Sequence, residues 1–507
     1  MALAAKERTA SLSIAEMARA TPASRDRFVD LLRALSIAVV VFGHWLAAVV
    51  YWDGQTVTGT SALDEISWAW MLTWGLQVMP LFFFVGGFSN SVSIRALKKR
   101  GGTYSQFLRS RIERIMRPTL VFVGAWVVIA AVADVAFGST AVRAATPHIA
   151  KPLWFLSVYV LVIALSPSML RLHERFRIKV PIAMVVGAVV IDVVRIAFDV
   201  PHIGYLNFAF VWLFPHQLGF FYADGSLTKI GRRGFALFAA AGFGTLVFLT
   251  NIGVYSKSMV GTMTTDLVSN NNPPSICLLA LTVGLVGVAM SFRERANVWL
   301  QGRRAWGTVI AANAMIMTVF LWHLSALIIV VFVLYPLDFP QPDAGSAQWW
   351  LTRPLWWAAA SVVLAGFVYP LVRFERQRIE VRGIAKPDLS TAQIVAGTTL
   401  LIVGLGGLAQ GGFAGLFEGH GTELAFFTAN PLLSAFHTCA GAALLLGRGR
   451  ALFPLVLVLL GVAELSPAAT TLQGFMPVTG ANAALHLATG TALSAAAGRT
   501  RIERSAR

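Results

Sequence analysis

Apolar runs long enough to cross a bilayer recur along almost the whole chain. A membrane-spanning helix needs about 17 to 25 predominantly apolar residues. Ten such runs lie near residues 31–51, 68–90, 119–137, 153–170, 180–198, 205–223, 234–253, 275–292, 309–335 and 354–372. Four further runs, rich in glycine and alanine, lie near residues 391–408, 430–446, 451–467 and 482–498. The pattern predicts an all-α polytopic membrane protein with about ten helices in a first part and about four in a C-terminal part.

The basic residues predict the orientation of this bundle. The formal net charge is +17 at pH 7, but lysines and arginines stand in short clusters between the apolar runs, so a nucleic-acid partner is not expected. If the N-terminus is inside, the connections that carry these clusters all lie on the cytoplasmic side, as the positive-inside rule requires. Both termini are therefore predicted to be cytoplasmic.

The composition agrees with a membrane protein and suggests how it is divided. Of the 507 residues, 56% are hydrophobic and 13% are charged, and the mean hydropathy is +0.68, which excludes an ordinary soluble enzyme. Aromatic residues become fewer after residue 386, where glycine and alanine dominate. The predicted parts are a cytoplasmic tail over 1–27, a membrane core over 28–385, a four-helix membrane domain over 386–498 and a basic cytoplasmic tail over 499–507.

The first apolar run contains two ionisable residues that are unusual in lipid. Arg33 and His44 are eleven positions apart, which at about 100° per residue places them on one face of a helix, roughly 16 Å apart along its axis. One interpretation is that Arg33 reaches the membrane interface and His44 is a hydrogen-bonded packing residue. The other is that Arg33 holds a phosphate or thioester and His44 acts as a general base, with Asp30 fixing the guanidinium from nearly the same face.

An amphipathic segment precedes the third apolar run. Residues 104–117 carry four arginines, among them Arg111 and Arg114, offset from several apolar side chains. Such a segment can anchor the chain on anionic lipid. It can also form a phosphate-binding rim, because an arginine fork matches phosphate oxygens in pairs.

The C-terminal part contains an internal repeat with histidines. His437 and His486 each begin a His-x3-Gly pattern in runs of the same direction, and Glu464 lies in the run between them. A metal or proton site is one interpretation, and histidines capped by neighbouring helices are the preferred one. The two cysteines, Cys277 and Cys439, both lie in apolar surroundings and are predicted to be packing residues.

Several segments form an ordered set of motifs together with the Arg33-x10-His44 spacing. The others are Phe82–Phe88, Phe107–Arg111, Leu153–Leu156, Phe320–His323 and Arg373–Glu375. The set resembles the membrane acyltransferases known as acyltransferase family 3, which O-acylate sugars and lipids of the cell envelope, and it covers roughly residues 25 to 378. Gly86 stands where the family usually has a serine.

The resemblance implies roles for individual residues. His44 and Arg33 are expected to be catalytic, and Arg111 and Arg114 are expected to bind the donor. Asp30, His323 and Glu375 are expected to support the site. The expected co-substrate is an acyl-CoA, most simply acetyl-CoA, and no metal is expected. A further resemblance, carried by Asn430-Pro431, His437, Gly441, Pro477, His486 and Gly490, links the C-terminal part to small four-helix bacterial membrane proteins without an assigned function.

The function predicted from these features is acyl transfer from cytoplasmic acyl-CoA to a hydroxyl of an envelope glycan or glycolipid. The protein would then lie in a bacterial-type plasma (inner) membrane, with membrane lipids and this acceptor as its partners. A transporter or flippase of an acidic or lipid-linked solute is the alternative, because intramembrane charges also suit transport. A passive scaffold would account for the C-terminal helices but not for the polar face of the first helix.

Overall fold

The structure, a computed structural model, confirms the predicted all-α class. It describes residue 16, residues 21–22 and the ranges 25–52, 57–137, 140–261, 267–376 and 388–505. The two sheets found in these ranges are two-stranded antiparallel hairpins. Most of the predicted N-terminal tail and the predicted boundary between residues 385 and 386 lie outside the described residues.

Fifteen helices and one hairpin make up the described chain between residues 25 and 376. The helices are α1 Arg27–Ala47, α2 Ala62–Glu65, α3 Trp70–Leu76, α4 Met79–Lys99, α5 Tyr104–Phe137, α6 Thr140–Ala150, α7 Leu153–Phe176, α8 Lys179–Ala197, α9 Asn207–Ala223, α10 Gly231–Asn251, α11 Ile276–Ser291, α12 Arg293–Trp299, α13 Arg303–Asn313, α14 Ile316–Leu334 and α15 Ala347–Arg376. The hairpin consists of β1 Ala48–Trp52 and β2 Val57–Ser61, and short 3-10 turns cover Ile203–Leu206, Leu227–Ile230 and Tyr335–Leu337.

The described residues after 388, which we call the C-terminal extension, form a second set of helices. They are α16 Thr391–Gly411, α17 Pro431–Leu445, α18 Leu452–Glu464, α19 Ala469–Leu472 and α20 Gly480–Ser505, with a hairpin of β3 Thr422–Leu424 and β4 Phe427–Ala429. The four predicted C-terminal runs coincide with α16, α17, α18 and α20. The last helix continues into the predicted basic tail over 499–507.

Length and hydropathy identify the helices that can span a membrane. Within the described ranges nine helical segments qualify, and the bent pair α11 and α12 makes ten if it is one span. Helix α9, with 17 residues, and helices α17 and α18, with 15 and 13, are shorter. The chain is therefore a multi-pass membrane protein.

Polar side chains fix where several helices begin. Asp26 accepts a hydrogen bond from the amide of Val29 at 3.1 Å and caps α1. Ser390 and Gln393 form a reciprocal capping box at the start of α16. Asn430 caps α17, whose first residue is Pro431. Each of these side chains satisfies an amide that has no partner within its own helix.

Three predicted spans differ from the helices observed, and the one near 68–90 is divided between α3 and α4. The first was expected to reach residue 51, but α1 ends at Ala47, since the β-branched residues that follow pair as strand β1. The run near 309–335 is divided into α13 and α14. The break follows Asn313, whose amide donates to the carbonyls of Asp30 and Val309 at 2.9 Å and so ties α13 to α1.

The amphipathic segment over 104–117 and the following span belong to one 34-residue helix, α5. One further expectation is corrected. Cys277 is buried as expected of a packing residue, whereas Cys439 is exposed.

Helices α4 and α9 cross where both carry glycine. A Cβ atom on Gly87 would overlap the backbone carbonyl of His216, and one on Gly219 would overlap the carbonyl of Phe84. Small residues allow membrane helices to approach this closely. The crossing holds α4 in the core of the bundle, next to α1.

The C-terminal extension packs directly against the rest of the protein. The Ser157 hydroxyl in α7 donates to the carbonyl of Ile402 in α16 at 2.9 Å. At one end of the bundle, Arg143 contacts Asp134 at 3.0 Å and Glu418 at 2.5 Å. The extension is thus part of the same bundle as the helices before it.

We expect Gly87→Ala to destabilise the folded protein. The added methyl group would force α4 and α9 apart, and overpacking of this kind costs about 1–3 kcal/mol. A lower apparent Tm in detergent would show this. Gly124→Ala in α5 is the matched control, because nothing lies within 4 Å of its added Cβ; an equal loss in both variants would contradict a tight crossing.

Candidate active site

Helix α1 carries a buried carboxylate and a partly buried arginine near its start. Asp30 Oδ1 lies 3.0 Å from Arg33 Nη1, and Asp30 Oδ2 lies 2.6 Å from Arg25 Nε. The second guanidinium nitrogen of Arg33, Nη2, donates to the Ser89 hydroxyl at 2.7 Å. Asp30 and Ser89 therefore each bind one branch of the Arg33 guanidinium.

Near the other end of α1, His44 meets a second histidine. Its Nδ1 lies 2.8 Å from Nε2 of His323 in α14, and the two rings are stacked with centroids 5.1 Å apart. His323 is fully buried, and His44 is partly buried. The structure thus joins the predicted base to one of the predicted supporting residues.

The hydrogen bonds of this pair define where its protons lie. Nδ1 of His323 lies 2.7 Å from the carbonyl of Phe320, which can only accept, so that nitrogen carries a proton. In the neutral ring Nε2 of His323 is then an acceptor, and Nδ1 of His44 must donate to it. The remaining nitrogen of His44, Nε2, keeps its lone pair and can accept a proton.

Two other contacts hold His323 in place. The indole Nε1 of Trp45 donates to the backbone carbonyl of His323 at 2.9 Å. Glu375 accepts from the amides of Met317 and Thr318, both at 3.0 Å, and from the Thr318 hydroxyl at 2.9 Å. These amides lie in the first turn of α14, where a carboxylate is favourable. Glu375 therefore caps the helix that carries His323.

Arginines gather around the start of α1. Arg111 in α5 donates to the carbonyl of Ser89 at 3.0 Å and to the hydroxyl of Ser93. Arg33 and Arg111 therefore share Ser89 as a partner. Arg114 lies within electrostatic range of both arginines and of Glu375. We call Arg33, Arg111 and Arg114 the arginine cluster.

This cluster carries an excess of positive charge. Asp30 is ion-paired with Arg33, and Glu375 is engaged by the start of α14, so the three guanidinium groups exceed the carboxylates beside them. Guanidinium groups bind phosphate oxygens in pairs. At about 1.5 Å per residue, roughly 16 Å of α1 separates Arg33 in this cluster from His44.

A cavity of about 680 Å³ reaches His44. Its lining is mainly apolar and includes Gly43 of α1 and Phe155 of α7, together with Phe320 of α14. Lys151, which also lines it, lies within electrostatic range of His44. Because His44 is part of the lining, a molecule in this cavity can contact its side chain.

Sequence reasoning missed three residues of the site: Ser89, Lys151 and Tyr159. Ser89 follows directly after the motif Phe82–Phe88, and this position is the sequence signal that could have identified it as a site residue. Tyr159 lies within electrostatic range of Arg33 and Arg111, and its ring would be 3.5 Å from a Cβ on Gly86. No local pattern distinguished Lys151 from other loop lysines.

The C-terminal histidines form a separate buried cluster. Nε2 of His437 lies 2.8 Å from Nε2 of His486, and Nδ1 of His486 lies 2.7 Å from Glu464. The side chains of all three are buried. Among the described residues, no group of three or more His, Cys, Asp or Glu is arranged to hold a metal ion. Both nitrogens of His486 have partners, whereas Nδ1 of His437 and one oxygen of Glu464 are buried without a hydrogen bond.

Comparison with known proteins identifies the family to which the helices before residue 376 belong. A family model described as an acyltransferase domain, that of acyltransferase family 3, matches residues 26–373. No curated protein and no solved structure matches the chain. The matched region includes both histidines of the pair and the whole arginine cluster, and it ends before the C-terminal extension. The chain therefore belongs to acyltransferase family 3 and is a multi-pass membrane acyltransferase.

Proposed function

We propose that this acyltransferase moves an acyl group, acetyl in the simplest case, from acyl-CoA to a hydroxyl of an envelope glycan or glycolipid. The observation that supports this most strongly is the His44–His323 pair. It leaves one imidazole nitrogen as a base beside a cavity, while an anion-binding arginine cluster lies at the other end of the same helix.

The donor fits the arginine cluster. The phosphates of CoA would lie against Arg111 and Arg114, and Arg33 would orient the pantetheine arm or the thioester. The roughly 16 Å along α1 between Arg33 and His44 is comparable to the length of an extended pantetheine arm. Donor and acceptor would therefore approach His44 from opposite ends of the bundle.

The chemistry at His44 is general base catalysis. Its Nε2 takes the proton from the acceptor hydroxyl as the oxygen attacks the thioester carbonyl carbon, a C–O bond forms, and the C–S bond breaks to release CoA thiolate. The thiolate then takes up the proton that His44 received. His323 accepts the Nδ1–H of His44 throughout and holds the ring in the productive tautomer, the role that an orienting group has in a catalytic triad.

The membrane context completes this proposal. With both termini in the cytoplasm of a bacterial-type plasma membrane, the arginine cluster faces the cytoplasmic acyl-CoA pool and the cavity opens on the side of the envelope. The basic clusters along the chain support this orientation. The acceptor and the surrounding lipids would then be its partners.

We expect His44→Ala to lower acyl transfer about 10²- to 10⁴-fold, the usual contribution of a general base. The measurement is transfer of radiolabelled acetyl from acetyl-CoA into the lipid and glycan fractions of membranes that contain the protein. Acetyl-CoA binding by the purified variant should match that of wild type, because the arginine cluster is unchanged.

His420→Ala is the matched control for this variant. His420 is a strongly exposed histidine of the C-terminal extension, with 84% of its side chain accessible, so transfer should stay at the wild-type rate. Turnover retained in His44→Ala would remove His44 from the role of base.

We expect Arg111→Ala to weaken acetyl-CoA binding about 10- to 100-fold, since a hydrogen bond between charged groups contributes about 1.5–3 kcal/mol. The affinity of Arg111→Lys should lie between those of wild type and Arg111→Ala, because lysine keeps the charge but loses the planar fork. Binding to detergent-solubilised protein, measured by calorimetry, checks both.

Arg171→Ala serves as the control in that experiment, because Arg171 is exposed on α7 and contacts Ser168 within its own helix. Equal affinity in the Arg111 and Arg171 variants would exclude Arg111 from the donor site. Failure of folded wild type to bind acetyl-CoA or longer acyl-CoAs would favour the transport alternative, which flux assays would then test.

A further inference from the structure

The cavity beside His44 has a wall that lies outside the family-matched region. Ile402, Gly406 and Ala409 of α16 line it, and so does Phe427 of strand β4. The family match ends at residue 373. The C-terminal extension therefore shapes a space that reaches the catalytic histidine.

The position of this wall is fixed by packing. The Ser157 hydroxyl, which also lines the cavity, donates to the carbonyl of Ile402 at 2.9 Å. A Cβ on Gly406 would contact the side chain of Leu424 in strand β3, so the glycine brings that strand close to α16. The wall is thus built from a helix that is tied to the acyltransferase core and a hairpin that packs on that helix.

The cavity presents two kinds of surface. His44 and Lys151 both line it, and Lys151 lies within electrostatic range of His44. The wall formed by the extension is apolar except for Gln410. A ligand with a polar head and an apolar chain matches this division, because each part meets a surface of its own polarity.

The rim of the cavity is suited to a molecule that arrives from the bilayer. Trp68 and Trp350 line it, stack with centroids 6.1 Å apart and are 43% and 37% exposed. Tryptophan is enriched where a membrane protein meets the head-group region. Helix α16 is itself one of the segments able to span a membrane.

We propose that the C-terminal extension forms the apolar half of the acceptor site and that the acceptor is a membrane lipid. Its hydroxyl-bearing head group lies at His44 and Lys151, and its apolar chain lies against Ile402, Ala409 and Phe427. This proposal rests on the proposed function for the identity of the reaction. It goes further in assigning a role to the four-helix extension and in selecting a lipid over a soluble glycan.

Photolabelling of the full-length protein in lipid nanodiscs tests the site. The probe is an alkyl glucoside that carries a diazirine in its chain, and labelled peptides are located by mass spectrometry. Labelling should fall on α16 and on residues 422–429. Ala409→Trp should reduce it about tenfold, because the indole displaces an apolar surface equivalent to roughly two methylene groups of the chain.

Val395→Trp is the matched control, since Val395 lies on the same helix but is 59% exposed; its labelling should equal that of wild type. Ala409→Leu replaces Ala409→Trp if the larger side chain prevents folding. Dodecyl glucoside should compete with the probe, and methyl glucoside should not. Labelling that is absent from the extension, indifferent to Ala409, or displaced equally by methyl glucoside would overturn the lipid site.

Acetyl-CoA binding, measured on the same preparations, reports separately on the proposed function. Ala409→Trp should bind acetyl-CoA as wild type does, because Ala409 is not part of the arginine cluster. Labelling of the extension in a protein that binds no acyl-CoA would overturn the proposed function and leave the lipid site standing. Normal acyl-CoA binding with labelling indifferent to Ala409 would overturn the lipid site alone.

Discussion

The hydrogen bond between His44 and His323 is the interaction on which the site depends. An imidazole has two nitrogens, and in an apolar bundle each nitrogen without a hydrogen bond costs free energy of folding. His323 accepts a hydrogen bond from Nδ1 of His44 and donates its own Nδ1–H to the carbonyl of Phe320. The second nitrogen of His44 thereby keeps its lone pair. The contacts of Trp45 and Glu375 serve this arrangement, because they position the helix that carries His323.

The arginine cluster is the second group of polar side chains inside the bundle, and it carries more positive than negative charge. Arg33 and Arg111 have protein partners, Asp30 and Ser89 among them, but the neighbouring carboxylates are fewer than the guanidinium groups. Positive charges that lie close together inside a bundle raise the local affinity for an anion. Helix α1 therefore joins two chemically different ends, one with an excess of positive charge and one with a hydrogen-bonded histidine pair.

The C-terminal extension adds a wall to the cavity from outside the family-matched region. It contacts α7 through Ser157 and α6 through Arg143, and it brings an apolar wall to the cavity without contributing to the histidine pair. Its own buried cluster of His437, His486 and Glu464 lies within the added helices. The histidine pair and the apolar wall of the cavity thus lie on different parts of the chain.

The sequence by itself determined the all-α membrane class, the shared face of Arg33 and His44, and the ordered motifs, because helical periodicity and hydropathy are local properties of the chain. Tertiary structure alone decided that His44 meets His323, which is 279 positions away, that Glu375 caps α14, and that α16 lines the cavity. It also ended α1 at Ala47 and divided the span near 309–335. Such outcomes depend on how distant helices pack, and a one-dimensional pattern does not record which faces will meet.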